Sequence, residues 1–138
     1  MLSDDALKLL LEALEDRRRA WAAWHQAAEA FGPPFEKLEA SAARQREAFA
    51  ALFAAHGLPL PPEPPTSTSP PFASRAEACQ WCAAAERATL ERCERLLDVT
   101  RQVELATLFR QLQTASRERH LPALERCADA GRPRQRCG

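Results

Sequence analysis

Leu7, Leu10, Leu14, Trp21, Trp24, Ala28 and Phe31 recur at steps of three and four residues, which puts them on one side of a helix. Ser3 before Asp4 and Asp5 is a cap, and Gly32-Pro33-Pro34 is a stop, so the pattern predicts a first helix over about 4–31. The same stepping resumes at Phe35, Leu38, Ala42, Phe49, Leu52 and His56 and closes at Gly57-Leu58-Pro59, predicting a second helix over 35–56. Ser74 with Glu77 three residues on reads as a capping box that opens a third helix over 74–98. After a short break around 99–102, Leu105, Leu108, Phe109, Leu112, Ala115, Leu121 and Leu124 carry a fourth run over 102–130. Pro122 inside that run lacks an N–H and clashes with the preceding turn, so it is expected to kink or break the helix.

Between the second and third helices, Pro59, Pro61, Pro62, Pro64, Pro65, Pro70 and Pro71 forbid both helix and central strand. At ~3.1 Å per residue this connector, 58–72, could reach roughly 45 Å, more than the length of a helix. Each helical hairpin alone has one apolar seam and too little chain to bury it, so the two are expected to share one core, with the connector crossing its length. The fold class expected is an all-α four-helix bundle over 1–131, two antiparallel hairpins joined by a long Pro-rich crossover, with a frayed tail at 132–138.

Composition sharpens this picture. The chain has no Tyr, Ile or Asn, and its apolar residues, 46% of the total, lean on the helix formers Ala and Leu. Nineteen basic residues balance nineteen acidic ones, so no excess positive field favours nucleic acid or an anionic membrane surface. No apolar run is long enough to span a bilayer, and Met1-Leu2-Ser3-Asp4-Asp5 lacks the basic and apolar regions of a signal peptide, which predicts a cytoplasmic protein. Five Cys leave at least one thiol unpaired within a monomer.

The inward stripes carry polar residues as well. Arg17 falls between Leu14 and Trp21, and Gln45 between Ala42 and Phe49. In the third helix Cys79, Cys82, Glu86, Leu90, Cys93 and Leu97 share one arc, and His120 and Cys127 share a face of the fourth. Arg17, Gln45 and Glu86 therefore form a polar core, with His120 beside them. Trp21 belongs to the apolar core and Trp24 to its edge, while Arg18 and Arg19 can reach Glu15, Asp16 or solvent.

Polar groups at the middle of four facing helices are how ferritin-like bundles build di-iron centres. The segments Leu14-Glu15-Asp16, Phe31-Gly32-Pro33-Pro34-Phe35, Gly57-Leu58-Pro59-Leu60-Pro61, Ala85-Glu86 and the run from Ser116 to Cys127 resemble a bacterial branch, of unassigned function, of the ferritin-like superfamily. The resemblance spans nearly the whole chain from Leu7 to Ala130. It implies a carboxylate where this chain has Arg17, a Glu-x-x-His at Ala42-Ala43-Arg44-Gln45, a Glu that matches Glu86, a His that matches His120, and a Tyr at Cys93. Only Glu86 and His120 remain as residual metal ligands. Two donors cannot hold two irons, and a guanidinium repels cations, so iron is not expected.

Three functions stay open on this reading. The first is a non-enzymatic binding or structural module in which Glu86 pairs with Arg17, with no cofactor and with assembly into a homo-oligomer through a bundle face as one form it could take. The second is a soft-metal (copper or zinc) or thiol-redox protein using Cys79, Cys82, Cys93 and Cys127 with His120. Against it, the antiparallel register brings Cys79 level with the region before Cys127, where a disulfide can form, and buried thiols are common small core residues. The third is a residual ferritin-like metal-binding oxidase.

Overall fold

The computed structural model describes residues 2–64 and 72–130. Among them the regular elements are all helical, with no strand: α1 (Asp4–Phe31), α2 (Phe35–Ala55), α3 (Arg75–Val99), α4 (Val103–Ala115), a single π turn (Ser116–His120) and α5 (Leu121–Ala130). The tail at 132–138 with Cys137, and the middle of the connector, lie outside the described residues.

The helix ends follow from local chemistry. Ser3 Oγ accepts from the Ala6 N–H at 3.1 Å and Asp4 and Asp5 sit in the first turn, where the helix dipole favours negative charge. Gly32 takes a left-handed φ of 72° to end α1, a conformation that costs glycine little. At the end of α2, Leu58 N–H reaches back to the Phe53 carbonyl and Gly57 N–H to that of Ala54, which closes the helix in a Schellman-type turn. Ser74 Oγ accepts from Glu77 N–H at 3.1 Å, and the Glu77 carboxylate in return accepts from Ala73 N–H, one residue before the cap.

Cross-helix contacts give the register. Trp21 meets Gln45 and Phe49 while His25 meets Glu39, so α1 and α2 run antiparallel. Arg17 meets Glu86 while Arg75 at the start of α3 donates to the Phe31 carbonyl at the end of α1, so α1 and α3 are antiparallel too. The Cys79–Cys127 link and the approach of His120 to Glu86 set α3 against α5 in the same sense. Residues 61–63 of the connector lie back over the first hairpin: Arg18 donates to the carbonyls of Pro61 and Pro62, and Arg46 pairs with Glu63 at 2.8 Å.

The core is filled by Trp21, Trp24, Phe35, Phe49, Phe53 and Phe109 with Leu10, Leu105 and Leu124. Trp24 is fully buried, a correction to its expected place at the core's edge: its ring stands edge-on to His120 at 5.1 Å and beneath the Arg17 guanidinium at 5.7 Å. Pro122 does not break the fourth run. One turn widens instead, with Leu121 N–H bonded to the carbonyl of Ser116, five residues back, so the missing Pro122 donor falls in the first turn of α5, where it costs little. No helix of the described residues is long and apolar enough to cross a membrane.

Candidate functional site

Arg17 is the charged residue the α1 stripe turns inward, and it is 2% exposed. Its two terminal nitrogens face the two oxygens of the fully buried Glu86 in parallel, Nη1 to Oε1 at 3.5 Å and Nη2 to Oε2 at 3.4 Å. This is the fork-to-fork arrangement of guanidinium and carboxylate, held at long distance. Nη2 also donates to Thr89 Oγ1. The Thr89 hydroxyl lies 3.0 Å from the Ala85 carbonyl and 3.2 Å from Asp16 Oδ2, and its one proton can serve either acceptor. Asp16, partly buried, stands 3.9 Å from Arg17 Nε and 3.8 Å from the Arg92 guanidinium, and so adds negative charge at the outer side of the cluster.

The π turn supplies the other wall. Ser116 Oγ donates to Glu86 Oε2 at 3.0 Å, and His120 Nδ1 lies 3.4 Å from Glu86 Oε1. Among the described residues neither ring nitrogen of His120 makes a well-formed hydrogen bond, and its ring packs edge-on against Trp24. Burial pushes the Glu86 carboxyl up, but the Arg17 guanidinium, with His120 and Ser116 adding to it, outweighs burial and holds the group below the usual carboxylate range. Glu86 is thus an ionised, fully engaged carboxylate. Its charge is balanced by Arg17, and Ser116 donates to Glu86 rather than to His120, so no nucleophile is activated there.

Gln45 is not part of this cluster, which corrects its expected place. Its amide oxygen accepts from Trp21 Nε1 at 2.8 Å, and it makes no hydrogen bond to Arg17, Glu86 or His120. The indole N–H needed a buried acceptor, and Gln45 is the polar residue that α2 brings level with it. The periodicity passed over Asp16, Thr89 and Ser116. Thr89 stands one turn after Glu86 and Ser116 one turn before His120, so the signal was their spacing from residues already placed inward.

The cysteines divide. Cys79 and Cys127 form a disulfide that joins the start of α3 to α5, with Cα atoms 5.8 Å apart. Cys82 and Cys93 are buried free thiols. Burial, with Glu86 adding to it, pushes the Cys82 thiol up to about 12 against the pull of Arg17. Burial likewise pushes Cys93 up to about 11. Both are thiols rather than thiolates near neutrality, and Cys82 is therefore a poor nucleophile toward the disulfide beside it. Among the described residues no group of three or more His, Cys, Asp and Glu side chains is placed to hold a metal ion.

Comparison with protein-family models found no match, and neither did comparison with curated proteins or with solved structures.

Proposed function

We propose that this protein is a ferritin-like bundle converted to a non-enzymatic binding module, in which a guanidinium takes the place of a metal. The observation that carries this reading is the Arg17–Glu86 fork: a permanent positive charge neutralises the central carboxylate from within the chain. In the resembling family carboxylates stand at both positions and need a cation between them, whereas here the charge is balanced without one. The ion-paired, ionised state of Glu86 and the protonated state of Cys82 and Cys93 argue against acid–base and thiol chemistry at this centre. The Cys79–Cys127 disulfide fits an oxidising compartment better than the cytoplasm expected from the opening residues.

The test is metal loading. The purified protein is incubated anaerobically with ferrous iron, and separately with Cu(I) and Zn(II), then desalted and its metal content measured. Substoichiometric iron is the expected result, and iron near two per chain overturns the reading. Copper or zinc retained at one per chain, lost in Cys82→Ser or Cys93→Ser, would favour a soft-metal protein instead.

A further inference from the structure

A cleft of about 510 Å³ lies between α2 and α4. Its floor is apolar, with Leu108, Leu112 and Ala115 buried on the α4 side and Ala48 on α2. Three arginines, Arg44, Arg110 and Arg119, stand around it, and no acidic residue lines it. Among the described residues Arg44 bonds only the Ser41 hydroxyl, and Arg110 and Arg119 make neither an ion pair nor a hydrogen bond.

A second cleft of about 500 Å³, between α1, α2 and the connector, is also rich in arginine, but each arginine there has an acceptor. There Arg46 pairs with Glu63, Arg19 with Glu15, and Arg18 with the carbonyls of Pro61 and Pro62. The arginines of one cleft thus all have side-chain or backbone acceptors, whereas those of the other are without a carboxylate partner among the described residues. The three arginines are exposed around an apolar floor, and an oxyanion held by them would accept charge-assisted, bidentate hydrogen bonds. The volume is that of a small-molecule site. No aromatic side chain lines it, which speaks against stacked bases or a flat ring system and for an aliphatic body.

We infer that the α2–α4 cleft binds a small amphipathic molecule with one oxyanion headgroup, carboxylate or phosphate, on an aliphatic chain. The headgroup sits among Arg44, Arg110 and Arg119, and the chain lies on Leu108, Leu112 and Ala48. Gln45, at the inner wall, spends its amide oxygen on Trp21 and keeps its amide N–H groups for the headgroup, which couples occupancy to the Trp21 indole. This inference rests on the reading of the chain as a binding module and names the class of its ligand.

The experiment is calorimetric titration of the intact protein with decanoate, decyl phosphate, decanol and inorganic phosphate, all below micellar concentrations. One saturable site for decanoate or decyl phosphate is expected, and the tighter of the two identifies the headgroup. Decanol and inorganic phosphate should each bind at least about tenfold more weakly, since each lacks half of the recognition. Arg110→Glu with Arg119→Glu should weaken binding at least about tenfold, the neutral Gln pair should fall between, and Arg95→Glu, exposed on α3 away from the cleft, should change nothing. Circular dichroism melts of each variant separate lost binding from lost fold, and the Gln pair keeps the test open if charge reversal unfolds the chain. No saturable binding, decanol as tight as decanoate, inorganic phosphate as tight as decyl phosphate, or undiminished binding by both folded double variants overturns the inference. Iron content measured on the same samples reads the parent proposal separately: iron uptake defeats that proposal whether or not the cleft binds its probes.

Discussion

Arg17 and Glu86, 69 residues apart in the chain, face each other fork to fork across the α1–α3 interface, both all but excluded from solvent. Neither charge could be buried alone. An isolated ion in a bundle core would be expelled or neutralised, and here each solvates the other, with Thr89 accepting from Arg17 and Ser116 donating to Glu86. Desolvation offsets most of the attraction, so the pair adds little net stability over an apolar core, while loss of one partner is costly.

That balance predicts a specific mutational pattern. Arg17→Met or Glu86→Gln alone should cost roughly 3–5 kcal/mol, because each strands a buried polar partner. The double variant should recover part of that loss. Urea denaturation of the three variants and the parent measures the coupling, and additive or negligible losses would show that the two side chains do not stabilise each other.

The depressed acidity of Glu86 makes stability depend on pH with a definite sign. A carboxyl whose folded-state value lies below its ordinary 4.5 contributes stability that is fully present above 4.5 and is lost as pH falls through the folded-state value. Unfolding free energy should therefore decline on acidification below about 4.5, and Glu86→Gln should flatten that decline. An equally steep acid limb in the variant would assign it to other carboxylates.

The helix boundaries were legible because their signals are local. Gly32-Pro33, Gly57-Leu58-Pro59 and Ser74 each act within one turn, and the helices end where those residues stand. The inward stripe was legible for Arg17 and Glu86, since one residue per turn suffices to place a face. Trp24 was harder: a hydrophobic pattern ranks it with the rim, but a ring that can lie under a guanidinium and edge-on to an imidazole is drawn to the polar centre. Gln45 was placed on the correct, buried face, but its grouping with Arg17 and Glu86 was not legible there, because whether it meets a charge or an indole N–H depends on helix height, which periodicity does not carry. His120 and Ser116 depend on the π turn, and a proline announces only that a helix must depart from regularity, not which departure it takes.

Trp21 and Gln45 offer a smaller test of the core. Gln45→Leu removes the acceptor of a buried indole N–H and should cost about 1–3 kcal/mol, the desolvation penalty of an unsatisfied donor. Trp21→Phe in that background removes the donor as well and should cost less than the sum of the two single changes. Thermal denaturation of the four proteins provides the comparison, and strict additivity would mean that the hydrogen bond contributes nothing.

The cysteines should separate by chemistry. With thiols pushed to about 12 and about 11, Cys82 and Cys93 should resist iodoacetamide in the native protein at pH 8 and react only on unfolding. The Cys79–Cys127 bond closes a loop with a sequence separation of 48, which spans α4 and the π turn and pins α5 to the start of α3. By the loop-entropy estimate it stabilises the fold by about 4 kcal/mol, and strain or residual structure in the unfolded chain lowers that toward 2. Cys79→Ser with Cys127→Ser, or reduction with dithiothreitol, should therefore lower the unfolding free energy by roughly 2–4 kcal/mol. Because the serine pair also exchanges buried sulfur for hydroxyl, Cys79→Ala with Cys127→Ala provides the cleaner measure of the cross-link. Mass spectrometry after alkylation in denaturant without reduction then gives the pairing: Cys82 and Cys93 should carry carboxamidomethyl groups while Cys79 and Cys127 do not, and labelling of Cys79 and Cys127 would rule out the disulfide.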